Sequence, residues 1–164
     1  MNFNLTRAFI RIAVCSAASA LGGLIKIPSP VGSIALDSLP GYFAAGYFSP
    51  LVGAVVGFVG HFGSAASGGL PLGALHILIA SLMFFCCFLF GFIVRTTNRV
   101  WGLFLASFTA LAANSLIPMI CSLFGLPLDT VKLITPFVFI ASAVNIALAA
   151  FAIRALSAAR INGI

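Results

Sequence analysis

The chain has 164 residues, of which 62% are apolar and only 6% are charged. Soluble domains carry about 25% charged and about 45–50% apolar residues, so this composition argues against a soluble enzyme and is typical of a domain that faces lipid. The formal net charge is +6. The basic residues are spread between long apolar runs, as membrane anchors are, which argues against a nucleic-acid-binding face.

Six apolar stretches follow one another along the chain, and about 20 apolar residues are needed to cross a hydrocarbon core of ~30 Å. The first ends before a loop at 26–33, where two prolines prevent helix continuation. A reversal at Ser49-Pro50 separates the second from the third, because a single helix over 34–67 would be about 51 Å long. The predicted spans are 5–25, 34–48, 50–67, 74–94, 100–124 and 131–156.

The distribution of basic residues predicts the orientation. With six spans both termini lie on one side, and that side would carry Arg7, Arg11, Arg95, Arg99, Arg154 and Arg160. The opposite side would carry Lys26 and Lys132, with Asp129 beside the latter. The positive-inside rule then places both termini in the cytoplasm. The predicted fold is an all-α integral membrane protein, a single domain over 1–164 built as a bundle of six transmembrane helices.

The sequence contains few groups for catalysis. No P-loop, nucleophile elbow or zinc-protease motif is present, and the two carboxylates are far apart along the chain. The two histidines have no third metal ligand at a suitable spacing, and the four cysteines lie in apolar runs without a C-x-x-C pattern. We therefore expect no enzymatic activity, no metal and no cofactor, with an intramembrane enzyme as a weak alternative.

Five polar residues lie at membrane depth on five predicted spans, biased toward the outer leaflet. Because a polar side chain at this depth is costly, it normally faces the bundle interior or a water-filled cavity. We therefore predict a substrate-binding site near the extracellular side, to which Ser64 and the aromatic Phe62 also contribute. The five polar residues are Asp37, His61, His76, Asn114 and Asn145.

Structural roles compete with this interpretation. Asn145 has small neighbours and would hold helices together, His76 would sit at the membrane–water interface, and Asp37 would cap the second helix. A stripe of small residues on the third span allows close approach of either a helix or a ligand. The stripe consists of Gly53, Gly57, Gly60 and Ser64.

Three features of the sequence resemble one known family. The chain combines six spans with an Ala13-x-x-x-Ala17 pattern in the first helix and with the stretch from Gly32 to Tyr42. Together these resemble the substrate-binding S components of energy-coupling factor (ECF) vitamin transporters. The run from Gly60 to His76, which includes the glycine-rich loop 68–73, is most similar to the branch assigned to α-ribazole, a precursor of the cobalamin lower ligand.

The resemblance implies a substrate-binding subunit of an importer in a prokaryotic plasma membrane. Such a subunit binds a vitamin or precursor beneath gating loops, here 26–33 and 68–73. It docks through Ala13 and Ala17 on a transmembrane scaffold subunit and topples in the membrane, driven by two cytoplasmic ATPases. Lipid is a further partner, and nucleic acid is not expected.

The polar residues favour a largely neutral, hydrogen-bonding ligand, because one carboxylate, two histidines and two asparagines have few cations near them. This is consistent with α-ribazole, the expected ligand. The alternatives are another vitamin or modified base, such as cobalamin, pantothenate or a queuosine precursor, or a membrane assembly subunit that binds no ligand.

Overall fold

The structure, a computed structural model, describes residues 3–29, 32–97 and 99–161. Within these residues the chain forms seven helices and one two-stranded hairpin. In chain order they are α1 (Phe3–Gly22), β1 (Lys26–Ser29), β2 (Gly32–Ala35), α2 (Leu39–Tyr47), α3 (Pro50–Ser67), α4 (Leu75–Thr96), α5 (Arg99–Ser115), α6 (Ile117–Ser122) and α7 (Leu128–Ile161).

Five helical stretches of the described chain are long and apolar enough to cross a membrane. They are Asn4–Gly22, Pro50–Ser67, Leu75–Thr96, Trp101–Ser122 and Leu128–Ala159. Large apolar side chains such as Phe9, Phe108 and Phe151 are mostly exposed on their outer faces, an arrangement that is favourable in lipid and not in water. The predicted helical membrane bundle is confirmed, with α2 as a sixth, shorter helix. The orientation of the termini stays a prediction.

Helix α2 is much shorter than the span predicted at 34–48. It has nine residues, about 13.5 Å at 1.5 Å per residue, which is less than half of a hydrocarbon core of ~30 Å. The prediction was wrong at the N-terminal end, where residues 34–35 belong to β2. Pro40 lies in the first turn of α2, and because proline lacks an N–H it favours a helix start at this point.

A β-hairpin lies where the sequence predicts a loop at 26–33. Strands β1 and β2 are antiparallel, with Lys26 opposite Ala35 and Ser29 opposite Gly32. Both strands contact α7. The hairpin therefore joins the C-terminal end of α1 to the start of α2 and adds a β element to a bundle that we predicted to be entirely helical.

The predicted fifth span at 100–124 is broken into two helices. Leu116 separates α5 from α6, and Pro118 lies in the first turn of α6. A proline cannot donate to the carbonyl four residues earlier and its ring crowds that carbonyl, which here belongs to Asn114. The backbone therefore departs from regular helix beside a polar residue that we predicted to bind substrate.

The small-residue stripe of α3 brings three neighbouring helices close to it. A Cβ atom added at Gly53 would overlap the backbone of Ala45 in α2. One added at Gly57 would lie 2.7 Å from Cys87 Sγ in α4, and one added at Gly60 would overlap α1. Helix packing therefore explains the three glycines. From the sequence alone, close approach of a ligand was an equally good explanation.

We expect Gly53→Ala to destabilise the bundle, because the new methyl group would overlap α2. Overpacking costs about 1–3 kcal/mol, so the melting temperature Tm of the detergent-solubilised protein should fall measurably. Gly63→Ala is the matched control in the same helix, since nothing lies within 4 Å of that position and alanine is the better helix former. Equal Tm values for the two variants would contradict close packing of α3 on α2.

Candidate functional site

A cavity of about 260 Å³ lies at the end of the bundle where α2 begins. Its wall combines α3, α4, α6 and α7 with the end of α5, the link before α2 and the loop before α4. Because α2 begins only at Leu39, the link residues Asp37 and Ser38 border the cavity at this point. The carboxylate, imidazole, amide and hydroxyl side chains in the wall are Asp37, Ser38, His61, Ser64, His76, Asn114, Ser142 and Asn145.

Most of the predicted substrate-binding residues come together in this wall. They are Asp37, His61, Ser64, His76, Asn114 and Asn145. The remaining one, Phe62, lies outside the wall and is 38% exposed. It follows His61 directly, and consecutive residues of an α-helix point about 100° apart. Phe62 is therefore poorly placed to stack on a ligand that His61 faces.

Asp37, His61 and His76 form a row of side chains along one side of the cavity. His61 Nδ1 lies 3.6 Å from Asp37 Oδ2, and His61 Nε2 lies 3.4 Å from His76 Nδ1. At the far end of the row, the backbone N–H of Leu72 donates to His76 Nε2 at 3.3 Å. The row therefore connects the link before α2 with the loop before α4 through two imidazole rings.

Asn145 anchors the free end of α2 inside the bundle. The backbone N–H of Leu39, the first residue of α2, donates to Asn145 Oδ1 at 2.8 Å, while Asn145 Nδ2 donates to the Ala141 carbonyl at 2.9 Å. The first turn of a helix has N–H groups without helical partners, and Ser38 makes no side-chain cap. The Asn145 amide satisfies one of these groups, which favours a structural role for this residue.

Asn114 makes a polar contact that the sequence analysis did not predict. Asn114 Nδ2 donates to Ser142 Oγ at 2.8 Å, and the Ser142 hydroxyl donates to the Val138 carbonyl at 2.6 Å. Ser142 lies three residues before Asn145 and so shares its helix face. That spacing was the available signal, but in sequence a serine among alanines is equally a packing residue.

The comparisons with known proteins bear on this fold and this cavity. A model of the family described as "ECF transporter, substrate-specific component" matches residues 7–159. The chain belongs to this family. Among solved structures, one described as "Structure and mechanism of the S component of a bacterial ECF transporter" matches with a TM-score of 0.69 and 21% identity, covering 93% of this chain and 96% of that one. That likeness shows the fold. No curated protein sequence matches significantly.

Membership of the family settles several expectations at a general level. S components are substrate-binding transporter subunits and not enzymes, so the prediction that the chain is not an enzyme is confirmed. They act with an ECF module of scaffold and ATPases, and this chain is a multi-pass integral protein of a prokaryotic plasma membrane. The α-ribazole branch and the individual site residues stay predictions.

In this S component, the C-terminal end of α1 packs directly against the cavity. The Ser19 hydroxyl donates to the backbone carbonyl of Asp37. A Cβ atom added at Gly23 would lie 2.8 Å from Ser64 Oγ. Helix α1 therefore holds the backbone that carries Asp37, while Ala13 and Ala17 are exposed on the same helix.

We expect Asn145→Ala to lower the stability of the ligand-free S component. The change leaves the Leu39 N–H without its acceptor, and a buried group that loses its partner costs about 1–3 kcal/mol. The Tm of Asn145→Ala in detergent should therefore fall below that of Asn114→Ala, which removes the donor to the Ser142 hydroxyl beside the cavity but no acceptor of a helix-start N–H. A Tm equal to that of the wild type would show that Asn145 does not anchor α2.

Proposed function

We propose that this S component binds α-ribazole in the cavity and delivers it to the cell through the ECF module. The observation that carries the proposal is the charge of the wall, whose described residues include one carboxylate and neither lysine nor arginine. A phosphate or carboxylate ligand would be buried there without a cationic partner, which is costly away from water. α-Ribazole is an uncharged nucleoside and avoids this cost.

The hydrogen-bonding groups of the wall support a ligand that donates. His61 Nδ1 lies 3.6 Å from Asp37 Oδ2, and we assign the Asp37 carboxylate as the acceptor of a ligand hydroxyl. Asn114 donates from Nδ2 to Ser142 Oγ, and its side chain also lines the cavity. Ser38 and Ser64 add hydroxyl groups to the wall. Ribose hydroxyls supply donors of this kind.

The rest of the wall includes several large apolar side chains, which suit a flat ring system. They are Ile79, Met83, Ile117, Leu126, Ile134 and Val138. Burial of an aromatic ring with methyl substituents against such side chains is favourable. The dimethylbenzimidazole ring of α-ribazole has this character, and its ribose would face the polar row.

The size of the cavity helps to separate the alternatives. Ligand pockets usually measure about 300–1,000 Å³, and a cavity of about 260 Å³ suits a nucleoside-sized ligand better than a complete cobalamin. Pantothenate carries a carboxylate that would meet Asp37. A modified base such as a queuosine precursor is similar in size to α-ribazole and is therefore the second candidate.

We also propose that the cavity faces the extracellular side. Arg11 and Arg95 both contact Phe48, at the end of α2 that is remote from the cavity, through its ring and its carbonyl oxygen respectively. Asp129 and Lys132 lie in the first turns of α7, near the cavity end. The concentration of arginine at the remote end supports a cytoplasmic location for that end.

Isothermal titration of the detergent-purified S component with α-ribazole tests the ligand directly, with riboflavin and pantothenate as controls. Asp37→Asn should weaken binding about tenfold or more, because hydrogen bonds to charged groups contribute about 1.5–3 kcal/mol. Asp129→Asn is the matched control. Because Asp129 is 98% exposed, this substitution should leave the affinity unchanged. Wild-type protein that binds none of the three compounds would overturn the α-ribazole assignment.

Docking on the scaffold is tested separately from binding. Ala13→Trp and Ala17→Trp should keep the affinity for α-ribazole but abolish its uptake by cells that contain the complete ECF module, because a bulky side chain prevents close approach of two helices. Ala112→Trp, at an exposed position of α5, is the matched control and should support uptake. Normal uptake by both α1 variants would exclude this face as the docking surface.

A further inference from the structure

The contacts of the two histidines are consistent with a single arrangement of hydrogens. The Leu72 backbone N–H can only donate, so His76 Nε2, at 3.3 Å, accepts and carries no hydrogen. A neutral His76 then has its hydrogen on Nδ1, directed at His61 Nε2 at 3.4 Å. His61 Nε2 therefore also accepts, which leaves its own hydrogen on Nδ1, facing Asp37 Oδ2 at 3.6 Å.

One additional proton disrupts this row. A proton on His76 Nε2 would face the N–H of Leu72. A proton on His61 Nε2 would face the Nδ1 hydrogen of His76, unless that hydrogen moves to Nε2 and again faces Leu72. Asp37, on the link before α2, and Cys121, on α6, are the other titratable groups of the described cavity wall; the residues contributed by α5 and α7 are uncharged.

The loop that contains Leu72 has an unusual backbone. Gly69, Leu70 and Gly73 have φ values of +82°, +53° and +55°, and Leu70 carries a side chain that disfavours this left-handed region. Gly68, Pro71 and Leu72 line the cavity, although most of the loop is exposed. A strained and exposed segment keeps one conformation only where contacts hold it.

We propose that His76 is a positioning residue that holds the loop 68–73 closed over the cavity, and that this latch requires both imidazoles to be neutral. Proton uptake by the His61–His76 pair releases Leu72 and opens the loop. The latch rests on the proposed function for its biological role, because opening of this loop gives access to the proposed ligand site.

Hydrogen exchange of the full-length S component in lipid nanodiscs tests the latch without any ligand. Protection factors, which correct for the intrinsic pH dependence of exchange, are measured for loop 68–75 at about pH 8 and about pH 5, the range in which histidine gains its charge. We expect protection of the loop to fall roughly threefold to tenfold at acid pH, the effect of one net hydrogen bond. The loop around Gly125, which contains no histidine, should not change.

Two substitutions of His76 separate the effect of its hydrogen-bond acceptor from the effect of its protonation. His76→Gln places an amide oxygen within reach of the Leu72 N–H but does not titrate, so loop protection should be high and independent of pH. His76→Phe keeps a flat ring without an acceptor, so protection should be low at both pH values. Wild-type protection in His76→Phe, or loop protection in the wild-type protein that does not change with pH, would overturn the latch.

The arrangement of hydrogens is checked on the wild-type protein, so the result does not depend on whether a variant folds. Nitrogen-15 NMR of selectively labelled histidine should show both rings with hydrogen on Nδ1 at about pH 8, and a ring with hydrogen on Nε2 alone would overturn the row. Titration with α-ribazole tests the proposed ligand independently. If α-ribazole does not bind but loop protection still depends on pH, the ligand assignment is rejected and the latch is retained.

Discussion

The site depends on a helix that ends inside the bundle. Helix α2 has nine residues, and its first backbone N–H binds Asn145, which lies near the middle of the 34-residue α7. Helix ends have unsatisfied N–H groups, and at membrane depth an irregular backbone is tolerated only where it is buried in protein or lines a cavity. The late start of α2 therefore leaves backbone N–H groups beside the cavity and explains the need for polar side chains there.

The polar residues of the cavity fall into two groups with different partners. Asn145 serves the protein itself, since its amide binds the backbone of α2 and α7. Asp37 and Asn114 line the cavity, and each contacts a neighbouring polar side chain, His61 and Ser142 respectively. Because a polar group buried without a partner is costly, a ligand that enters this cavity must offer hydrogen bonds to these side chains.

The lengths of the apolar stretches and the positions of the charged residues were sufficient to predict the helical membrane bundle, because crossing a bilayer constrains both strongly. The hairpin and the late start of α2 were not predictable in this way, since four-residue strands carry little periodic signal. The polar set was predictable from the cost of polarity at membrane depth, but that cost does not say what each residue touches. The His61–His76 contact joins residues fifteen positions apart across a loop. Phe62 lies outside the cavity wall, because neighbouring residues of a helix do not share a face.

Close packing limits which parts of the S component can move when a ligand enters. The backbone of α3 has no space for a methyl group where it meets α1, α2 and α4, and interfaces packed in this way shift between discrete arrangements rather than deform continuously. The loop before α4 is different, because it is exposed and strained at Leu70. Access to the cavity is therefore more easily controlled at this loop than by separating the helices. Since Ser19 of α1 binds the Asp37 carbonyl, a displacement of α1 would also move the backbone that carries Asp37 at the cavity.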